Sequence, residues 1–285
     1  MNITKKQLGY YLAGLIEGDG NIWTPKEFKS PNGRKYNPQI TFAFDIRDKA
    51  LFELLKENLN SGYLCQQKKN QEGTNGGILR INETNILVKI INLINGKFRT
   101  PKIIHLHRAI DQINLKYGTM INKLPIDRSE LDTNPWLAGF TDADGNFHIS
   151  LEGPYGSNGS LSKGRVKCTF SIVQSLIHKS TGESCIPFMT EIANLFQCKL
   201  IYRKDSTLTF IAGANSKHYL TINYFDKYPL MSSKYLNYKD YVRGLNYLGK
   251  CLTIEEIIEI QNIKNSMNNK RTYFNWNHLN NFYKK

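Results

Sequence analysis

The chain has no apolar run approaching the roughly 20 residues that a bilayer-spanning helix needs, which excludes a helical membrane protein. It has five cysteines, Cys65, Cys168, Cys185, Cys198 and Cys251, but no C-x-x-C pair and no histidine at zinc spacing beside them. A structural zinc module is therefore excluded, and the cysteines read as reduced thiols in core or strand positions. His105 and His107 lie two apart and do not share a helix face, so a metal role for that pair is not expected. Met1 to Lys6 pass directly into the first helical pattern, leaving no room for a signal or transit peptide. Acid is scarce: 24 Asp and Glu stand against 38 Lys and Arg, a net charge of +14. That excess is the electrostatic footprint of a nucleic-acid binder. At 285 residues, 40% of them hydrophobic, the chain can bury two modest cores or one shared core.

The few acids are not scattered. Leu12-Ala13-Gly14-Leu15-Ile16-Glu17-Gly18-Asp19-Gly20 is matched by Leu137-Ala138-Gly139-Phe140-Thr141-Asp142-Ala143-Asp144-Gly145. Each copy is followed by Asn and an apolar residue, Asn21-Ile22 and Asn146-Phe147. The spacing suits two related halves rather than a solenoid, whose periods are shorter. Each copy reads as a helix. Thr4 and Gln7 form a possible capping box before the first; Asn134 reads as the N-cap of the second, with Pro135 at its first helical position. Gly14 and Gly18 fall four apart on one face, as do Gly139 and Ala143. Small residues on a face let a second backbone come close, so the two helices are expected to pack on each other. Gly20 and Gly145 suit a helix stop.

Glu17 and Asp19, and Asp142 and Asp144, then sit at the negative end of the helix dipole, at a cost of roughly 0.3–1 kcal/mol each. A local rule broken twice in the same way points to function. Two carboxylates brought together call for a shared proton or a divalent cation. Oxygen ligands favour Mg²⁺ or a similar hard ion, with phosphate completing its shell.

Between the motifs the periodicity alternates between strand and helix. Strands are predicted over Ile22 to Phe28 and Tyr36 to Ile46, flanking a basic turn over Lys29 to Lys35, where Ile40, Phe42 and Phe44 alternate with polar or small residues. A helix over Asp48 to Asn60 follows. A hairpin over Leu64 to Lys68 and Ile78 to Asn82 surrounds a Gly-rich turn at Gly73 to Gly77. Helices follow over Asn85 to Asn95 and Ile103 to Tyr117. The second half repeats the order: a strand from Phe147 to Leu151, a Gly/Ser-rich turn at Gly153 to Gly164, and a strand from Arg165. A helix over Ile186 to Phe196 and a hairpin of Lys199 to Arg203 with Thr207 to Ile211 come next. Helices over Lys217 to Phe225, Tyr235 to Tyr247 and Ile254 to Met267 complete it. The tail from Asn268 to Lys285 is basic and aromatic and has no readable pattern. The predicted fold is α+β: two pseudo-twofold-related αββαββα halves, residues 1–118 and 133–285, joined by a linker over 119–132. The sheets are expected to be antiparallel, with the motif helices packed at the centre.

The polar sheet faces are regular. Arg165, Lys167, Thr169 and Ser171 alternate with Val166, Cys168, Phe170 and Ile172. A two-stranded ribbon or curved sheet fits the DNA major groove, where all four base pairs differ. Candidate reading side chains are Gln39, Thr41, Arg80 and Asn82 in the first half, and Arg165, Lys167, Thr169, Ser171, Arg203 and Thr209 in the second. Lys and Arg at the rims would contact phosphates and set affinity.

Both nonapeptides resemble the signature of the LAGLIDADG homing endonucleases, in the form that carries both motifs on one chain, and the resemblance covers nearly the whole length. It implies that a monomer lays a saddle of two sheets on double-stranded DNA. Asp19 and Asp144 would bind the divalent metal, Mg²⁺ or Mn²⁺, at the scissile phosphates, with the backbone carbonyls of Gly18 and Ala143 as further ligands. Glu17 and Asp142 would support them from the helix ends. The implied chemistry is hydrolysis of one phosphodiester per strand, leaving short 3′ overhangs on a site of about two duplex turns. The basic residue that such enzymes carry near each site falls on Lys102 and Lys234. The glutamine that often ends the second strand falls on Gln174. Aligning Thr41-Phe42 with Thr169-Phe170 places Ile46 at the matching position of the first half, a departure that predicts unequal cutting of the two strands. The principal alternative is a splicing maturase that binds intron RNA on the same scaffold, which predicts damaged acids where here both survive. High Asn, Ile, Lys and Tyr usage fits translation inside an organelle, as for relatives in mitochondrial introns.

Overall fold

A computed structural model describes residues 4–26, 32–33, 36–66, 76–152 and 165–281. The basic turn expected over Lys29 to Lys35 lies largely outside these residues. The turn over Gly153 to Gly164 and most of that over Gly73 to Gly77 lie outside them too. The first half runs α1 (Lys5–Gly18), β1 (Gly20–Trp23), β2 (Gln39–Asp45), α2 (Lys49–Leu59), β3 (Tyr63–Gln66), β4 (Gly76–Ile81), α3 (Thr84–Ile94) and α4 (Ile103–Tyr117). The second runs α5 (Trp136–Asp144), β5 (Gly145–Glu152), β6 (Arg165–Ser175), α6 (Ile186–Leu195), β7 (Leu200–Tyr202), β8 (Thr207–Ala212), α7 (His218–Lys227), α8 (Lys234–Leu245) and α9 (Ile254–Asn265). The two sheets have the same antiparallel order, β1-β2-β4-β3 and β5-β6-β8-β7. The αββαββα order is thus present in both halves, and the closing helical region is folded as two helices in the first half and three in the second. Gly96, at φ +74°, and Pro101 make the break in the first half; Pro229 marks it in the second, since a proline cannot continue a helix.

At the centre α1 lies against α5. A methyl group added at Gly14 would overlap the Trp136 carbonyl oxygen, and one at Gly139 would overlap that of Tyr11. The capping box before α1 is formed, with Gln7 N donating to Thr4 Oγ1 at 3.2 Å and Thr4 N donating to Gln7 Oε1 at 2.8 Å. At α5, Asn134 Oδ1 accepts from Trp136 N at 3.1 Å. Gly20 and Gly145 do not end the helices by a left-handed turn: Gly145 has φ −77°, and Gly20 is not among the positive-φ glycines. They are small because the chain doubles back over the last turn, where a Cβ would strike Ile16 and Thr141.

Each sheet buries one face against its own helices. Ile40, Phe42, Leu79 and Ile81 line the first core with Leu87, Ile90 and Ile91 of α3. The second core is aromatic: Phe147 stacks on Phe170 at 4.9 Å, and Phe170 meets Phe196, Phe210 and Phe225 edge-on. Residues 119–130 run without regular structure along the first half, held by Asn95 Nδ2 to Asn122 O at 2.7 Å and Asp127 N to Phe98 O at 2.9 Å. The tail, unreadable in the sequence, returns to the junction of the halves. Arg271 pairs with buried Asp240, Asn268 Nδ2 donates to Phe147 O at 3.0 Å, and Arg47 Nη1 of the first half donates to Asn268 O at 3.2 Å.

Candidate active site

The two helices end side by side. Asp19 is the C-cap of α1, and Asp144 is the last residue of α5. Gly18 makes room for Ala143: a Cβ there would overlap the Ala143 methyl and lie 3.3 Å from Asp144 Oδ2. Burial and then the neighbouring Asp144 charge push the Asp19 carboxyl up to about 6. Burial pushes Asp144 up as well, against the pull of Lys234 and of Gln174, whose Nε2 donates to Asp144 Oδ2 at 2.7 Å.

The other two motif acids are buried and have a different task. Glu17 accepts from Arg99 N at 3.0 Å, Thr100 N and Thr100 Oγ1 at 2.6 Å, and Trp136 Nε1 at 2.6 Å. Asp142 accepts from Met231 N at 2.7 Å, Ser232 N at 3.1 Å, Ser232 Oγ at 2.5 Å and Tyr11 Oη at 2.8 Å. The sets correspond, and each includes one donor from the opposite half: Trp136 and Tyr11 stand immediately before their own nonapeptides. Burial pushes Glu17 up to about 7 while its donors pull the other way; Asp142 is raised by the same cause. Tyr11→Phe removes the single donor from α1 to Asp142 that carries no other change of shape. It is expected to lower unfolding free energy by about 1–3 kcal/mol, the cost of depriving a buried charged acceptor, measured by denaturant titration.

These clamps hold two turns that return a lysine to each helix end. Lys102 Nζ donates to the carbonyls of Ile16 at 3.1 Å, Gly18 at 2.9 Å and Gly20 at 3.0 Å. Lys234 Nζ donates to Thr141 O at 3.2 Å and to Ala143 O. A cation there offsets the dipole that the acids oppose. Burial lowers both ammonium pKa values, opposed by the surrounding carboxylates.

The donor set suits a hard divalent ion. Among the described residues no side-chain donor reaches the Asp19 carboxylate, and one oxygen of Asp144 is left by Gln174. The Gly18 and Ala143 carbonyls carry one ammonium each and retain a lone pair. No cluster of three His, Cys, Asp or Glu side chains occurs among the described residues. The remaining ligands of such an ion would therefore be water and phosphate, as is usual for Mg²⁺.

The sheet residues on the faces turned away from the cores form cross-strand rows. Asn21, Thr41, Arg80 and Tyr63 stand in register across the first sheet, and Trp23 pairs with Gln39. Asn82 lies just past β4, exposed. In the second sheet Arg165 faces Glu152, Lys167 faces Ser150, Thr169 faces His148, and Ser171 lies between Asn146 and Ile211. Lys167 also pairs with Glu152. Arg203 is exposed and donates from Nε to Thr209 Oγ1 at 3.0 Å. Thr209 is only 1% exposed and already bonded, so it orients Arg203 rather than reaching outward. Sequence reasoning passed over Asn21, Trp23, Tyr63, Asn146 and His148, which share these rows. The strand period puts Trp23 and His148 on the same face as their cross-strand partners, whereas Asn21 and Asn146 lie one residue before the predicted strands.

Two repeated halves, each with an antiparallel four-stranded sheet, and a pair of acids where the motif helices meet define an α+β protein built on an internal repeat. The chain belongs to the LAGLIDADG endonuclease family, whose model matches residues 12–112 and 137–243. It is 30% identical over 326 aligned positions to the intron-encoded DNA endonuclease aI3 of Saccharomyces cerevisiae, covering 99% of this chain and 75% of that protein. It spans smaller shares, 63% and 44%, of two further relatives. Its fold is similar to that of the I-LtrWI LAGLIDADG homing endonuclease bound to target DNA, with TM-score 0.66 and 21% identity over 94% of this chain and 100% of that one. It is also similar to I-SmaMI bound to uncleaved DNA target in the presence of calcium ions, with TM-score 0.64 and 19% identity over 91% and 98%.

Proposed function

We propose that this chain is a monomeric, metal-dependent DNA endonuclease that cuts both strands of one long duplex site, leaving short 3′ overhangs. The observation that carries this reading is the pair Asp19 and Asp144 at abutting helix ends, each beside a lysine anchored on the end carbonyls. Mg²⁺ or Mn²⁺ held by these acids and the Gly18 and Ala143 carbonyls would neutralise the attacking and leaving oxygens of an in-line displacement. Lys102 and Lys234 add positive charge beside each phosphate, and Gln174 orients the Asp144 carboxylate. The sheet rows read base edges in the major groove, led by Thr41, Arg80, Arg165, Lys167, Thr169, Ser171 and Arg203, with Gln39 and Asn82 at the rims. The intron-encoded relatives support expression from an organelle intron, with a mitochondrial setting.

Removal of metal tests the chemistry. Cleavage is expected to stop in EDTA and return on adding Mg²⁺; an unchanged rate in EDTA would exclude this mechanism. Lys102→Met and Lys234→Met are each expected to slow a single strand by about 10²-fold or more, the scale of losing a positioned proton-handling or charge-stabilising group. Nicked duplex should accumulate, nicked on opposite strands in the two variants, as resolved by strand-specific end labelling.

A further inference from the structure

The two lysine turns share the bonds that hold the motif acid and the lysine backbone, while Lys102 alone adds a third carbonyl, that of Gly20. Thr100 and Ser232 both bind their motif acid, and both accept from the lysine backbone, Lys102 N at 3.2 Å and Lys234 N at 3.1 Å. The residue between them differs. In the first half it is Pro101, which has no N–H to offer. In the second it is Ser233, whose N–H donates to Asp48 Oδ1 of the first half at 2.6 Å. The residue aligned with Asp48 in the second half is Leu176, which has no side-chain acceptor. Donor and acceptor are thus both present at one site and both missing at the other.

Asp48 is the N-cap residue of α2, yet it makes no side-chain bond to its own helix. It caps α8 instead, whose first residue is Lys234 and whose own N-cap Ser233 makes no side-chain capping bond. A carboxylate at a helix N-terminus is favoured by the dipole. The segment before it is tied to the tail: Arg47 is held by Asp45 and reaches Asn268 O and Asn269 Oδ1. Asp48 opens on a cavity of about 290 Å³ shared with Asp19, Asn146 and Lys234. Among the described residues no such carboxylate accepts from the Lys102 turn, and Gln174, which bonds Asp144, has Ile46 as its counterpart in the first half.

We propose that Asp48 is a positioning residue for Lys234 alone, a contact between halves that fixes the start of α8 and so sets the rate at which one particular strand is cut. Asp48 acts through the Ser233 N–H and touches no reacting atom. The two active sites are thereby supported by different devices, Gln174 on one acid and Asp48 behind one lysine.

This inference rests on the endonuclease reading, and the test separates the two. A duplex recovered from wild-type cleavage of a randomised library is end-labelled on either strand, and both strand rates are measured for wild type, Asp48→Ala and Asp48→Asn. Asp48→Ala is expected to slow the strand that Lys234→Met leaves uncut by about tenfold, the scale of one lost hydrogen bond to a charged group, with the other strand unchanged. Asp48→Asn keeps an oxygen for the Ser233 N–H and should restore most of that rate. Thermal unfolding of both variants shows whether they fold. Equal slowing of both strands, no slowing of either, or failure of Asn to rescue a folded protein would overturn the proposal. A wild type that cuts nothing would instead remove the endonuclease reading.

Discussion

Asp144→Asn is expected to bind target DNA as tightly as the wild type and to lose double-strand cleavage by about 10³-fold, the scale of removing one electrostatic stabiliser from a water-poor site. The substitution keeps the shape at the end of α5 and an oxygen for Gln174 Nε2, so the fold and the sheet faces are undisturbed. What it removes is half of the anionic pair whose mutual repulsion, with burial, raises the Asp19 carboxyl to about 6. One carboxylate then remains for the cation, and affinity for the metal falls with it. DNA affinity is set by Lys and Arg on the phosphates and does not depend on Asp144. Binding is read by mobility shift in Ca²⁺, and cutting by gel analysis in Mg²⁺. Intact cleavage in the variant would show that the pair is not the metal site.

Gly14→Ala is expected to destabilise the protein by at least about 3 kcal/mol, above the usual ~1–3 for overpacking because the obstacle is backbone. The sign is informative. In an isolated helix the same change gains about 1 kcal/mol. Here the new methyl would overlap the Trp136 carbonyl oxygen, part of the other half's main chain, which cannot rotate away. Helices α1 and α5 must separate, and with them the crossed bonds of Tyr11 to Asp142 and Trp136 to Glu17. For a chain of this size the loss corresponds to a fall in Tm on the order of 10 °C, measurable by calorimetry. A Tm equal to or above the wild type's would mean that the helices do not meet at Gly14.

The motif helices, the two sheets and most helices could be read from the sequence because their signals are local: repeated small residues, period-two alternation, capping residues. The two lysines were singled out by the resemblance to the family, at matching positions ahead of a long helix in each half. The divided roles of the motif acids were less legible. Glu17 and Asp142 differ from Asp19 and Asp144 by direction alone, and direction is set by where the next backbone passes. A signal was present in Tyr11 and Trp136, two aromatic side chains with a donor at matching positions ahead of the repeats. Thr209 read as a groove residue by period, yet Arg203 folds over it. Asp48 looks like an ordinary helix cap in sequence. Its partner Ser233 is 185 residues away, and no local pattern announces a cap given to another helix.

Cleavage of a library of randomised duplexes by the purified wild-type chain, in Mg²⁺ and in Ca²⁺, tests the central claim most directly. The paired-acid site predicts that Mg²⁺ yields one family of long sequences cut on both strands with short 3′ overhangs, and that Ca²⁺ supports binding to the same sequences. Equal binding in both ions with no strand cut in either would contradict it, leaving a nucleic-acid binder for which intron RNA is the next ligand to try.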